Sequence, residues 1–261
     1  AKVLIKELQS YKKQYAVPRK TLIDNLEEAV VEEKKIEEMD VVFLMDRFGY
    51  AKTVDVSVYE RNKEAADTEN RYILTCKNTD KICIFTNKGQ MHLLKVLDLP
   101  YGKFRDKGIP IDNLSNYNSS EENFIYIINL GAIIHSRLLF GTKTAMLKMV
   151  DGSEFDVAKR TTASTKLNED DELLIVHAMT GEETVVMQSE KEMFLRIEAS
   201  TIPEKKKGAV GVRGMKLNAG DALSNIYVLD GESEQTVEVK GKEVVLNRLR
   251  VGNRDTKGTK R

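Results

Sequence analysis

Lys81-Ile82-Cys83-Ile84-Phe85-Thr86-Asn87-Lys88-Gly89-Gln90-Met91-His92-Leu93-Leu94-Lys95-Val96 decides the fold. An apolar run meets a polar turn, Thr86 to Gly89, and a second apolar run leaves it. Glycine supplies the positive φ that a tight hairpin needs, so the stretch predicts two antiparallel strands. The same unit recurs at residues 41–54, 138–150, 184–197 and 236–246, each copy ending near a Lys or Arg. Asp46-Arg47-Phe48-Gly49, Ser189-Glu190-Lys191 and Lys240-Gly241-Lys242 are the other legible turns. No helix is expected inside the repeat. Five copies at blade-sized spacing predict an all-β, propeller-like array, an architecture that leaves only short, protected sheet edges.

Behind each hairpin a second element is expected: a basic or glycine-rich link, a short strand, an Asn/Asp turn and an outer strand. Lys166-Leu167-Asn168, Asp171 and Leu173 match Lys216-Leu217-Asn218, Asp221 and Leu223 in spacing, and Lys107 to Leu114 is the earlier counterpart. The Asn/Asp residues would close turns on their own backbone. The fifth hairpin ends in Arg250-Val251-Gly252-Asn253-Arg254, so its missing strands are expected from elsewhere, residues 21–31 being the candidate that would close a ring. Leu4, Leu8, Tyr11 and Tyr15 lie at helical spacing, and Pro18 ends that segment. The chain opens at Ala1 within this pattern, so it is expected to be a piece of a longer protein, with residues 1–20 closing a preceding domain.

Hydrophobic residues make up 41% of the 261, enough for a packed core and too many for disorder. Lys+Arg and Asp+Glu both number 41, but the balance hides a dipole. Residues 27–40 carry seven carboxylates against Lys34 and Lys35, while residues 240–261 carry eight basic residues against Glu243 and Asp255. Cys76 and Cys83 sit in strand-like runs and read as small buried hydrophobes in a reducing compartment. No apolar run reaches membrane-spanning length, and no signal peptide is present.

Chemistry-bearing motifs are sparse. His92, His135 and His177 fall on separate units without neighbouring ligands at metal spacing, and Asp170-Asp171 sits in a repeated turn. There is no G-x-S-x-G, phosphate loop or H-E-x-x-H. The links are the stronger lead. They run through Lys103, Arg105 and Lys107, through Lys159 and Arg160, through Lys205, Lys206, Lys207 and Arg213, and through Arg248, Arg250, Arg254 and Lys257. Any one charged loop is ordinarily just solvated. Four in phase with the repeat point to phosphate binding without base reading, since no recognition helix is available.

Ile84 to Gly89 followed by Lys107-Gly108-Ile109-Pro110, the stretch Val212-Arg213-Gly214-Met215-Lys216-Leu217 and the repeated D-x-L turn resemble the C-terminal domain of the A subunit of bacterial type IIA topoisomerases (DNA gyrase and topoisomerase IV). Ile5-Lys6-Glu7-Leu8 leading to Pro18-Arg19-Lys20-Thr21 resembles the junction from that polypeptide's coiled-coil arm. The resemblance implies a five-bladed β-pinwheel over residues 21–261, a propeller variant whose blades exchange strands, preceded by the short helix of the arm. It implies duplex DNA bent around a basic rim and presented to the enzyme's gates. The rim residues would be Lys103, Arg105, Lys107, Lys159, Arg160, Lys205, Lys206, Lys207, Arg213, Arg248 and Arg250. The breakage-reunion tyrosine and ATPase site lie outside this chain, so no residue here is expected to be catalytic, and the ATP and Mg of the parent enzyme would be bound elsewhere. Implied partners are double-stranded DNA and the rest of the topoisomerase heterotetramer, its A and B polypeptides, in the bacterial cytoplasm at the nucleoid.

Gyrases carry a box Q-R-R-G-G-[KR]-G after the first hairpin. Tyr59-Glu60-Arg61-Asn62-Lys63-Glu64-Ala65-Ala66-Asp67-Thr68 stands there instead, without a glycine pair. That leans toward a topoisomerase IV-type bending domain over a gyrase-type chiral wrapper. Two other classes stay open: a protein-binding propeller, although the chain has no tryptophan for Trp-Asp repeats, and a propeller enzyme such as a glycosidase, which would need a central carboxylate cluster.

Overall fold

The computed structural model describes residues 2–18, 20–21 and 36–261. The chain divides into two units, Ala1–Ile36 and Glu37–Arg261. In the first, Lys2–Tyr15 is an α-helix whose Leu4, Leu8, Tyr11 and Tyr15 stripe stays exposed, with the two tyrosine rings stacked at 6.3 Å.

In the second unit all five hairpins form where the pattern places them: Asp40–Asp46 with Tyr50–Asp55, Lys81–Thr86 with Gln90–Lys95, Arg137–Thr142 with Met146–Asp151, Thr184–Ser189 with Met193–Glu198, and Thr236–Val239 with Lys242–Val245. Their turns share one device. The residue just before the second strand has positive φ in each: Gly49 (86°), Gly89 (69°), Ala145 (62°), Glu192 (63°) and Gly241 (76°). Glycine takes this slot in three turns without strain; Ala145 and Glu192 hold it against their side chains.

Each of the first four hairpins becomes a four-stranded blade. One added strand comes from the segment that follows the hairpin or its links: Asn70–Lys77, Phe124–Asn129, Leu173–Met179 and Leu223–Leu229. The other is exchanged, arriving from beyond the next hairpin: Ile109–Pro110, Thr161–Ala163, Val212–Arg213 and Thr259–Lys260. This is a five-bladed β-pinwheel. The long added strands of consecutive blades contact one another and therefore line the inner side of the array, which puts the exchanged strands and their links at the periphery.

Strand alternation explains the core. Ile82 and Ile84 face the first blade, packing with Phe43 and Met45, while Cys83 and Phe85 face the third, packing with Phe140 and Phe155. Leu147 and Met149 then meet Val185 and Met187, and Val186 and Phe194 meet Val239 and Leu246. Both faces of an inner hairpin are thus buried, which is why its strands read as continuous apolar runs. Among the described residues no core cluster joins the fifth hairpin to the first blade, and that hairpin remains a two-stranded sheet. The strand expected from residues 21–31 falls outside the described residues except for Thr21, which lies in a bend.

One expectation is overturned: helices do occur within the repeat. Val56–Arg61 and Lys63–Glu69 follow the first hairpin, with Asp55 capping the first of them by accepting from the Ser57 N–H at 2.8 Å. Ala66, Glu64, Thr68 and Lys63 are acceptable helix residues, and Ala66 seals Val42, Leu44 and Val54 from water.

Turns of neighbouring blades are tied by Glu172, which receives Lys88 Nζ at 3.0 Å and Lys143 Nζ at 2.5 Å. The hydrogen bonds from Lys143 and then Lys88 hold its carboxyl down to about 2. A depressed carboxylate contributes stability that is complete above its unfolded value near 4.5 and is lost as pH falls toward 2. Because both lysines are about half exposed, the effect is discounted to about 1 kcal/mol. Glu172→Gln is expected to lower the unfolding free energy from urea titration at pH 7 by that amount and to converge with the wild type by pH 2; an unchanged difference across that range contradicts the assignment.

Candidate nucleic-acid interface

On the first, third and fourth blades the link runs parallel to the second strand of the preceding blade at one register, beside Thr53, Met149 and Arg196, whereas on the second blade the residue bonded there, Arg160, already leads into the exchanged strand. The Thr53 N–H donates to Pro100 O (2.9 Å) and the Gly102 N–H to Thr53 O (3.2 Å) on the first blade. Leu93 N–H donates to Arg160 O (2.7 Å) on the second, Lys205 N–H to Met149 O (2.8 Å) on the third, and Gly252 N–H to Arg196 O (2.8 Å) on the fourth. Those three links then loop out and return as the exchanged strand. At the point of return a Cβ on Gly108 would meet Ala51 O at 2.6 Å, on Gly211 Leu147 O at 2.6 Å, and on Gly258 Phe194 O at 2.8 Å. Link glycines at these positions therefore serve close approach of backbone to backbone, a role their sequence context did not reveal.

Of the sequence-predicted cations, Lys103, Arg105, Lys107, Lys159, Arg160, Lys205, Lys206, Arg213, Arg248 and Arg250 are exposed and Lys207 is partly buried. Some are engaged. Lys206 lies 3.4 Å from Glu154, Arg213 2.8 Å from Asp255 and Arg248 3.2 Å from Glu234. Lys207 donates through Nζ to Glu154 O at 2.8 Å. Among the described residues no carboxylate lies within 4.0 Å of the side-chain nitrogens of Lys103, Arg105, Lys107, Lys159, Arg160, Lys205 or Arg250, although the Asp106 carboxylate accepts the Lys103 backbone N–H at 2.7 Å. Arg254, also read as a link cation, donates to Arg213 O at 3.0 Å.

The sequence reading missed the residues beneath the loops. On the first blade Lys52 Nζ donates to Phe104 O and, at 2.9 Å, to Asp106 O. On the third, Lys148 Nζ donates to Lys207 O (2.7 Å), Ala209 O (2.7 Å) and Lys206 O (3.3 Å). On the fourth, Arg196 donates to Asn247 O and weakly to Leu249 O. On the second, buried His92 bonds Thr161 Oγ1 at 3.1 Å and Glu122 Oε1 at 2.9 Å. The first and third blades thus place a lysine under the loop that returns to them, while the second sets His92 against the exchanged strand and the fourth sets Arg196 against the start of its link. A lysine or arginine inside a strand that otherwise reads apolar is the signal that could have found three of them. His92 was expected to lack a carboxylate neighbour; Glu122, thirty positions away, supplies one only after folding.

Asp170-Asp171 is structural, as its repetition suggested. Asp171 accepts from the Thr144 N–H (3.0 Å) and Thr144 Oγ1 (2.5 Å), and Asp221 accepts from Ser189 Oγ (2.8 Å) and the Lys191 N–H (3.2 Å). Each pins its own blade's hairpin turn. Burial pushes the Cys76 and Cys83 thiols up to about 11 and about 12, so neither is a nucleophile near neutrality. Among the described residues no three His, Cys, Asp or Glu side chains gather as a metal site, and no helix is long and apolar enough to cross a membrane. A cleft of about 800 Å³ opens on the first blade between its hairpin turn, the helix Lys63–Glu69 and the link, with Phe48, Tyr50, Arg105 and Lys107 on its walls.

The family described as DNA gyrase C-terminal domain, beta-propeller, matches residues 136–177 and 183–230, the third and fourth blades. Over 98% of its length the chain is 27% identical to the DNA gyrase A polypeptide of Lawsonia intracellularis, covering 33% of that protein. Over 97% it is 29% identical to that of Staphylococcus epidermidis, covering 30%. The chain spans about a third of the length of the curated relatives it matches. Among solved structures, the C-terminal domain of a DNA topoisomerase IV superposes with a TM-score of 0.76 at 22% identity, covering 86% of this chain and 73% of that one. The E. coli ParC C-terminal domain gives 0.70 at 15%, covering 85% and 94%. A DNA gyrase A C-terminal domain gives 0.56 at 17%, covering 85% and 76%. These likenesses carry the fold, and the sequence relatives bear out the resemblance read from the hairpins and D-x-L turns.

Proposed function

We propose, for a chain that is a relative of the gyrase A C-terminal domain of type IIA topoisomerases, that its peripheral links bind and bend duplex DNA without reading sequence. The observation that carries this is the placement of seven exposed cations, whose head groups pair with no carboxylate among the described residues, on links anchored along the second strand of the preceding blade. Lysine and arginine on flexible loops neutralise phosphates, and phosphate contacts position a duplex without carrying sequence information. Bending 20–30 base pairs around the array costs on the order of 1–6 kcal/mol, which a handful of charge-assisted contacts offsets.

In the parent enzyme this segment would present DNA to the gates of an ATP-dependent topoisomerase in the bacterial cytoplasm, joined to the rest of its own A-type polypeptide and working with the B-type partner. Catalytic residues and the ATP and Mg sites would lie in those parts. A topoisomerase IV-like role, relaxation and decatenation, is favoured over gyrase-type chiral wrapping. The helices Val56–Arg61 and Lys63–Glu69 occupy the place of the gyrase box, with near-balanced charge and no glycine pair to free the backbone.

The deciding experiment binds the chain to nicked circles, ligates them and reads the linking number. Binding that weakens steeply with salt and leaves linking number near that of free DNA is the expected result. A large positive linking-number change supports the gyrase-type alternative, and salt-independent binding removes the DNA reading altogether.

A further inference from the structure

Resting on the reading that the links face DNA, we propose that Lys148 is a positioning residue of that surface: its ammonium, sealed beneath residues 205–209, holds their backbone in the shape that presents Lys205 and Lys206 to phosphate. Lys148 is 1% exposed in the middle of the strand Met146–Asp151. Its three N–H donors meet three carbonyls, those of Lys206, Lys207 and Ala209, at 3.3, 2.7 and 2.7 Å. Because a trans peptide sets its N–H opposite its C=O, turning the Lys207 and Ala209 carbonyls inward turns the N–H groups of Gly208 and Val210 outward. The exit of the loop is pinned by Gly211, whose φ of +106° and close approach to Leu147 O leave no room for a side chain.

Stability alone does not account for this lysine. The fourth blade carries Leu195 at the matching register, so the strand position itself does not require a lysine. The charged groups facing Lys148 are Glu154, Lys206 and Lys207; the paired strand presents Phe140 and the returning segment Gly211, which carries no side chain. Glu154 does not neutralise it directly, since its carboxylate takes the Lys207 N–H at 2.9 Å and Lys206 Nζ at 3.4 Å. Lysine, loop and Glu154 form one assembly in which a hidden charge shapes an exposed one. Lys52 repeats the arrangement under Phe104 and Asp106.

The test uses Lys148→Met in the full chain, with a fluorescent duplex titrated against salt at pH 7 and pH 9. Affinity at physiological salt is expected to fall about tenfold and the salt slope to become shallower by about two units, the share of two lost phosphate contacts. The melting midpoint should change little, because the carbonyls released from the ammonium can turn to water as the surface loop relaxes. Wild-type binding should weaken from pH 7 to pH 9, because burial lowers Lys148 to about 8, against the opposing pull of Glu154, while surface lysines keep their charge. Over the same interval the wild-type midpoint should rise relative to the variant, since a lysine whose folded pKa lies below its unfolded value destabilises the fold while charged. Lys148→Met should show no such loss of binding, and it should be non-additive with Lys205→Ala/Lys206→Ala, which reads the same loop from outside. Wild-type affinity and slope in Lys148→Met, or full additivity with the double variant, overturns the proposal. If the wild type itself fails to bind duplex, the DNA reading falls instead.

Discussion

Replacing Lys103, Arg105, Lys107, Lys159, Arg160, Lys205 and Arg250 together by alanine is expected to weaken duplex binding by about 10³-fold or more at physiological salt and to flatten the salt slope by about six units. All seven are exposed and none has its head group paired with a carboxylate among the described residues, so neutralising them removes counterion release without opening an ion pair or a cavity. The melting midpoint should hardly move, because surface substitutions away from caps and turns usually stay within about 0.5 kcal/mol each. Charge reversal at Lys159 and Arg160 alone should remove about two units of slope. A protein-binding propeller would instead keep its partner binding through either change and show no salt-linked loss with DNA. Retained affinity in the sevenfold variant would mean that DNA, if bound at all, lies on another surface.

Phe85→Ala carries the largest expected loss of stability, about 3–5 kcal/mol. Phe85 is fully buried between the second and third blades, with ring centroids 5.1 Å from Phe155 and 5.9 Å from Phe140 in edge-to-face geometry. Truncation removes those contacts and leaves a cavity that stacked hairpins cannot close. Because each core cluster joins only neighbouring blades, the damage should be local. Hydrogen exchange should accelerate in the strands Lys81–Thr86 and Arg137–Thr142, while Thr184–Ser189 and Thr236–Val239 stay protected until global unfolding. Uniform acceleration across all five hairpins, or a loss under about 1 kcal/mol, contradicts a chain of separable cores.

Much of the candidate interface was legible in the residues because it is local. The exposed link cations lie in short stretches that follow a hairpin, so each is read from its own neighbourhood. Their anchors were not legible. Lys148 meets carbonyls about sixty positions away, Lys52 reaches Phe104 and Asp106, and His92 finds Glu122 across thirty. The links read only as glycine-rich, yet Gly108, Gly211 and Gly258 are set by the strand backbone beneath them. The helices after the first hairpin escaped notice because Val56–Arg61 and Lys63–Glu69 are too short and polar to display a helical stripe.

By itself, then, the amino-acid order determined the five hairpins, the D-x-L turns and the cationic links, since alternation and turn chemistry act over a few residues. Tertiary structure alone decided which blade receives each link. Ile109–Pro110 pairs with the hairpin before its own, and Val212–Arg213 does the same two blades on. An exchanged strand two or three residues long has no periodicity to announce its partner. Its pairing is selected by backbone hydrogen bonds and by a buried side chain that exists as a clamp only once distant segments have met.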